Sequence, residues 1–128
     1  MLSFSNFGSV DHPFTRKVRR ATELAKQLDP GLIIDGEMQL AAALDASIRK
    51  DYFPWCDLDA DANVLVFPDL QSGNLALHLL QYVGAAVVVG PMLMGARLPA
   101  HLLQYGLSAE DVANLITAGV VEAPVAEA

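Results

Sequence analysis

Four short runs carry side chains able to bind or transform a ligand. They are Asn6-Phe7-Gly8-Ser9, Asp69-Leu70-Gln71-Ser72-Gly73-Asn74, Gly90-Pro91 and Ser108-Ala109-Glu110-Asp111. A glycine turn between a strand and a helix, such as Asn6-Phe7-Gly8-Ser9, can present backbone N–H groups to an anion. Its spacing is not that of a P-loop, because no Gly-Lys-Ser/Thr follows, and a plain turn is the competing reading. Asp69 or Ser72 can cap the helix that follows. The same junction, at the end of a strand, is where an open α/β sheet holds ligands. Ser108 with Asp111 three residues on resembles a capping box, with Asp a weaker partner than Glu or Gln.

Charge adds one further candidate. Arg16, Lys17, Arg19, Arg20 and Lys26 are five of the eight basic residues. They form either a solvated helix face or a patch for the phosphates of a nucleotide-type ligand. His12, His78 and His101 have no metal-type partner three to five residues away, and Cys56 is alone, which argues against a zinc site. Met38, Met92 and Met94 read as core filler.

These residues need a scaffold, and the hydropathy pattern supplies one. Leu2–Phe4, Leu32–Ile34, Val64–Phe67 and Val87–Val89 are short apolar runs that read as strands. Helical periods cover 13–29, with Phe14, Val18, Ala21, Ala25 and Leu28 on one face, and 37–50, with Leu40, Leu44 and Ile48. Two more cover 72–83 and 108–121. Asp35-Gly36 turns the chain, 51–63 is an acidic loop, and 92–103 is an irregular or edge strand pair broken at Gly95 and Pro99. Pro124 onwards is a frayed tail. Alternating apolar strands and helices indicate a parallel sheet covered on both faces, with ligands at the strands' C-terminal ends. The helix over 72–83 is apolar nearly all round, so one side packs on the sheet and the other needs further cover.

With 53% hydrophobic and 18% charged residues, 128 residues suffice for a packed domain or a piece of one. A net charge of -7 argues against a general nucleic-acid binder. The apolar run over 83–94 is too short and too interrupted to cross a bilayer, which takes roughly 20 apolar residues. A lone cysteine and no basic leader point to a cytoplasmic protein.

In combination, the motifs resemble those of the phosphate acetyltransferase and phosphate butyryltransferase family. The matching segments are Ser3-Phe4-Ser5-Asn6-Phe7-Gly8-Ser9 and Asp35-Gly36-Glu37-Met38-Gln39. Further along come Val64-Leu65-Val66-Phe67-Pro68-Asp69 with Gly73-Asn74, then Gly90-Pro91-Met92-Leu93-Met94-Gly95 and Glu110-Asp111-Val112. The resemblance implies a three-layer α/β/α fold with a mostly parallel sheet, of the isocitrate dehydrogenase-like superfold. It covers the C-terminal part only, here residues 1–122 with a flexible tail over 123–128. The ligand cleft implied is lined by Asn6, Gly8, Ser9, Asp69, Ser72, Gly73, Asn74, Gly90 and Pro91, and Asp111 is the catalytic residue if the domain is active.

The departures bear on function. Where the family carries a lysine after the first strand this chain has Phe7, and where it carries Ser-Arg before the last helix this chain has Gln104-Tyr105. Two cations are thus absent from a cleft that would bind acetyl phosphate. Ser5-Asn6-Phe7-Gly8 and Tyr52-Phe53-Pro54 resemble the transferase-like domain appended to hybrid NADP-dependent malic enzymes. That resemblance implies a regulatory, oligomerising domain with acetyl-CoA as ligand and self-association through the helix over 72–83. An upstream malic enzyme domain, holding NADP and a divalent metal, would perform the oxidative decarboxylation. The alternative is a catalytic phosphate acetyltransferase moving acetyl between CoA and phosphate.

Overall fold

A computed structural model describes residues 1–123. The tail expected from residue 124 onwards lies outside the described residues. The chain divides into two compact units, Met1–Leu77 and His78–Ala128. The helices are α1 (Pro13–Leu28), α2 (Leu40–Leu44), α3 (Ala46–Tyr52), α4 (Leu70–Tyr82) and α5 (Ala109–Glu122). No described helix is long and apolar enough to cross a membrane.

The first unit is built on Leu2. Its N–H donates to the Val66 carbonyl (2.8 Å), and it forms a parallel bridge with Met38. Sheet pairing among the described residues is limited to such isolated contacts, and the apolar runs Leu32–Ile34, Val64–Phe67 and Val87–Val89, read as strands, form no ladder. The bridge of Leu2 falls on Met38 instead. Gly36 allows this, because its φ of +138° and the absence of a side chain let the chain pass against Met1. A Cβ there would stand 2.5 Å from the Met1 carbonyl oxygen. Leu2, Met38, Ala42 and Ala43 form the buried core, with Phe7, Ile48, Phe53, Leu65 and Phe67 packed around it.

Helix α1 starts where Pro13 suggests, with His12 accepting from the Phe14 N–H and Thr15 bonding back to the His12 N–H. Its buried face differs from the apolar stripe. Thr15, Val18 and Thr22 are inside, while Phe14 and Leu28 are exposed. Both threonine hydroxyls donate to backbone carbonyls, which removes the cost of burying them.

The single helix expected over 37–50 is two helices. Asp45 is extended (φ −133°, ψ 104°) and its carboxylate caps α3 by accepting from Ser47 N–H. The buried Arg49 guanidinium donates to the Ala42 and Ala43 carbonyls, which closes the C-terminus of α2.

Helix α4 begins two residues before Ser72, and none of its residues is buried. Its apolar faces stand open, with Leu75, Leu79 and Leu80 exposed. In the second unit Met92 bridges His101 antiparallel, as the reading of 92–103 anticipates. The His101 ring lies against α5 at Gly119, where a Cβ would be 3.3 Å from the ring. Leu115 is the buried anchor of α5.

Candidate functional site

The turn over residues 5–9 is organised by a carboxylate absent from the list of candidate ligand residues. Glu37 is fully buried and accepts from Ser5 Oγ (3.0 Å), Gly8 N–H (2.8 Å), Arg19 Nε (3.0 Å) and a second Arg19 nitrogen (3.2 Å). Its carbonyl also accepts the Phe7 N–H (2.8 Å). Burial pushes the Glu37 pKa up, but the bonds from Arg19, Gly8 and Ser5 outweigh it and hold the carboxyl below its ordinary value.

The remaining N–H groups of the turn are also engaged. Asn6 N–H donates to Ser9 Oγ, Ser9 N–H to the Asn6 carbonyl, and Val10 N–H to Ser5 Oγ. Every main-chain N–H from Asn6 to Val10 thus has an internal partner. An incoming ligand would meet side chains here, above all the Asn6 amide, whose oxygen accepts from Gln39 N–H (2.7 Å). Phe7 adopts φ 46° and places its ring in a cluster with Phe53 (5.2 Å) and Trp55 (6.3 Å).

The basic row of α1 has internal partners throughout. Arg16 pairs with Asp11, Arg19 with Glu37, Arg20 with Glu23, and Lys26 with both Asp35 and Asp57. Lys17 donates to the Pro68 carbonyl. These bonds fasten α1 to the acidic segments around it, and they leave no unengaged cation on that helix for a phosphate. Asp35 is held in the same way. Burial raises its pKa, yet bonds from the Asp57 and Gly36 N–H groups and from Lys26 bring it below the usual carboxylate range.

At the second candidate junction, Asp69 caps α4 by accepting from Ser72 N–H (2.8 Å), and Ser72 Oγ donates to the Asp69 carbonyl (3.0 Å). The Ser72 bonds lower the Asp69 pKa. Gly73 packs on the Phe67 ring, and Asn74 lies one residue further along α4. Asn6, Gly8, Ser9, Asp69, Ser72, Gly73 and Asn74 thus all belong to the first unit, and α1 bonds directly to Pro68 through Lys17 and reaches the 5–9 turn by way of Glu37. Gly90, Pro91 and Asp111 belong to the second unit. Asp111 accepts from both the N–H and the hydroxyl of Ser108 (2.8 and 2.7 Å), and these bonds lower its pKa. In this geometry it is a helix cap with little basicity.

Glu37, Arg19 and Arg49 hold the architecture through buried polar bonds that hydropathy does not reveal. The one signal for Glu37 is its place in Asp35-Gly36-Glu37-Met38, a charged residue wedged between a glycine and a core methionine.

Comparison with known proteins matches residues 1–120 to the family described as phosphate acetyl/butaryl transferase. A phosphate acetyltransferase of Clostridium acetobutylicum is 42% identical over 123 residues, covering 96% of this chain and 37% of that protein. An NADP-dependent malic enzyme of Haemophilus influenzae is 40% identical over 96% of this chain, which covers 16% of it. Among solved structures, the EutD phosphotransacetylase from Staphylococcus aureus superposes with a TM-score of 0.89 at 38% identity, over 96% of this chain and 38% of that one. The chain spans less than two-fifths of that acetyltransferase's length. With its motifs in order over nearly all its length and the same fold as a phosphotransacetylase, the chain belongs to the phosphate acetyl/butaryl transferase family.

Proposed function

We propose that the chain is the acyl-CoA-facing part of a phosphate acetyltransferase domain that exchanges acetyl groups between CoA and phosphate. The observation that carries this reading is the match over 96% of the chain, at 42% identity, to a protein named for that activity. The two strand-end loops held by α1 support it, since a ligand cleft needs loops of fixed shape. Because the α1 cations are engaged internally, the charge that stabilises the transferring group would come from outside that helix, from Arg97, Lys50 or the remainder of the domain. Asp111 would orient or deprotonate the CoA thiol once its cap bonds to Ser108 are exchanged. The test is acetyl-CoA formation from acetyl phosphate and CoA by the parent protein. Turnover that falls at least about a hundredfold in Asp111→Ala supports the reading. Absence of turnover in the unaltered protein defeats it.

A second reading has its own support. Phe7 and Tyr105 replace cations, and the Haemophilus influenzae relative is an NADP-dependent malic enzyme. On this reading the domain binds acetyl-CoA as a regulator and self-associates through the helix over 72–83. The oxidative decarboxylation of malate, with NADP and a divalent metal, lies in an upstream malic enzyme domain. Malate-dependent NADPH formation by the parent protein, altered by acetyl-CoA in the absence of any acetyl phosphate chemistry, favours this reading over the first.

A further inference from the structure

Helix α1 is capped by a group that a proton can disable. His12 Nδ1 accepts the Phe14 N–H (3.2 Å). That donor identifies Nδ1 as the unprotonated nitrogen of a neutral imidazole. The lone pair that makes the cap is therefore the one a proton takes when histidine becomes charged, which ordinarily happens at about pH 6.5. The side-chain caps of the other described helices differ. The carboxylates of Asp45 and Asp69 cap α3 and α4, and the Ser108 hydroxyl caps α5. Acceptors of those types do not take up a proton at histidine's pH.

His12 is exposed, so solvent protons reach it. An imidazolium there would stand at the positive end of the α1 dipole, and the first turn of that helix contains no acidic residue. Arg16 and Lys17 follow on the same helix, and Asp11, the preceding residue, is already paired with Arg16 (2.8 Å). The Phe4 ring lies 5.7 Å from the imidazole, and the segment that brings it, residues 1–10, has no ionisable side chain. The Phe14 ring lies at 4.9 Å. Cation–π attraction to these two rings favours the charged form, yet it returns no acceptor to the Phe14 N–H. N–H groups of a first helical turn have no partner within the helix.

The cap is joined to the chain beside it. Thr15 Oγ accepts the His12 N–H (3.1 Å) and donates to the carbonyl of Val10, the residue after the 5–9 turn (2.8 Å). The Val10 N–H in turn donates to Ser5 Oγ (3.0 Å). We propose that His12 is a proton-operated cap, which fixes the first turn of α1 beside the 5–9 turn when neutral and releases it when charged. The cap is present above the ordinary histidine range and is lost as pH falls through it. The device is independent of whether the domain catalyses acetyl transfer.

Amide hydrogen exchange on the full 128-residue chain tests this, each rate being divided by the intrinsic rate at the same pH. Between about pH 7.5 and about pH 5 the protection of the Phe14 amide should fall about fivefold, the worth of one cap. His12→Asn keeps a side-chain acceptor that does not titrate, so protection should stay high at both values. His12→Ala has no acceptor and should show the low value at both. His78 and His101, the other two histidines, are unchanged in either variant. Protection that does not change with pH in the unaltered chain overturns the proposal, as does high protection in His12→Ala. A fall that His12→Asn retains also overturns it, because the proton would then act elsewhere. So does an equal fall at Leu115, the buried anchor of α5, which would report loss of the whole fold.

Discussion

The turn at residues 5–9 and the turn at 104–106 are built on one plan with different outcomes. Each contains a glycine at nearly the same positive φ, Gly8 at +87° and Gly106 at +86°. Each is followed within a few residues by a capping box, His12 with Thr15 before α1 and Ser108 with Asp111 before α5. In the first, an arginine from the following helix reaches back to a buried carboxylate, and that carboxylate holds the turn. In the second no such clamp is present among the described residues. A Cβ on Gly106 would meet nothing within 4 Å, and Tyr105 is fully exposed. Glycine conformation therefore permits a turn, but a buried ion pair gives it a fixed shape.

The comparison is sharpest where the clamp is removed. Arg19→Ala leaves the Glu37 carboxylate buried without its cation and should give the largest loss of stability of the substitutions considered. Urea unfolding followed by the emission of Trp55, the chain's single tryptophan, measures it. Tyr105→Ala should change stability by less than about 0.5 kcal/mol. Equal losses in the two variants would break the comparison.

Acid titration tests the same clamp through its charge. The folded pKa of Glu37 lies below its ordinary value, so the carboxylate's contribution is fully present above that ordinary value. It is lost as pH falls from there through the depressed folded value. Glu37→Gln should flatten the stability profile across that window and leave the slope at neutral pH unchanged. A profile identical to the unaltered chain would show that Glu37 carries no such linkage.

Smaller effects separate the glycines and the caps. Gly8→Ala should cost about 2 kcal/mol, the upper end of left-handed strain, because the clamped turn cannot relax; the added Cβ would only touch the Arg19 guanidinium at 3.4 Å. Gly106→Ala has strain alone and should cost about 1 kcal/mol. Ser108→Ala should lower stability by about 1 kcal/mol through loss of the α5 cap, read by thermal unfolding in circular dichroism. A Gly106→Ala loss as large as that of Gly8→Ala would mean the second turn is held by contacts of its own.

Much of the scaffold was legible from residue order. Pro13 and Pro30-Gly31 bracket α1, and Ser108 announces α5, because those residues act locally on φ and on end N–H groups. What depends on distant partners was not legible. Asp45 falls in a helical period and breaks it, since Arg49 folds back onto the Ala42 and Ala43 carbonyls. The inward face of α1 is Thr15, Val18 and Thr22 because the hydroxyls satisfy themselves on nearby carbonyls. At the candidate site, Asn6 to Ser9 and Asp69 to Asn74 were found as glycine-bearing junctions. Their common dependence on Glu37, Arg19 and Lys17 was not, because charged residues in sequence read as surface.

The tie between Lys17 and Pro68 has a dynamic meaning. One rigid rod, α1, is fastened to the 68–69 loop at Lys17 and to the 5–9 turn through Arg19 and Glu37. The two attachment points are two residues apart along the same helix, so motion of that helix moves both loops together. A ligand that touches either one therefore restrains both, and the second contact forms with less loss of freedom than the first.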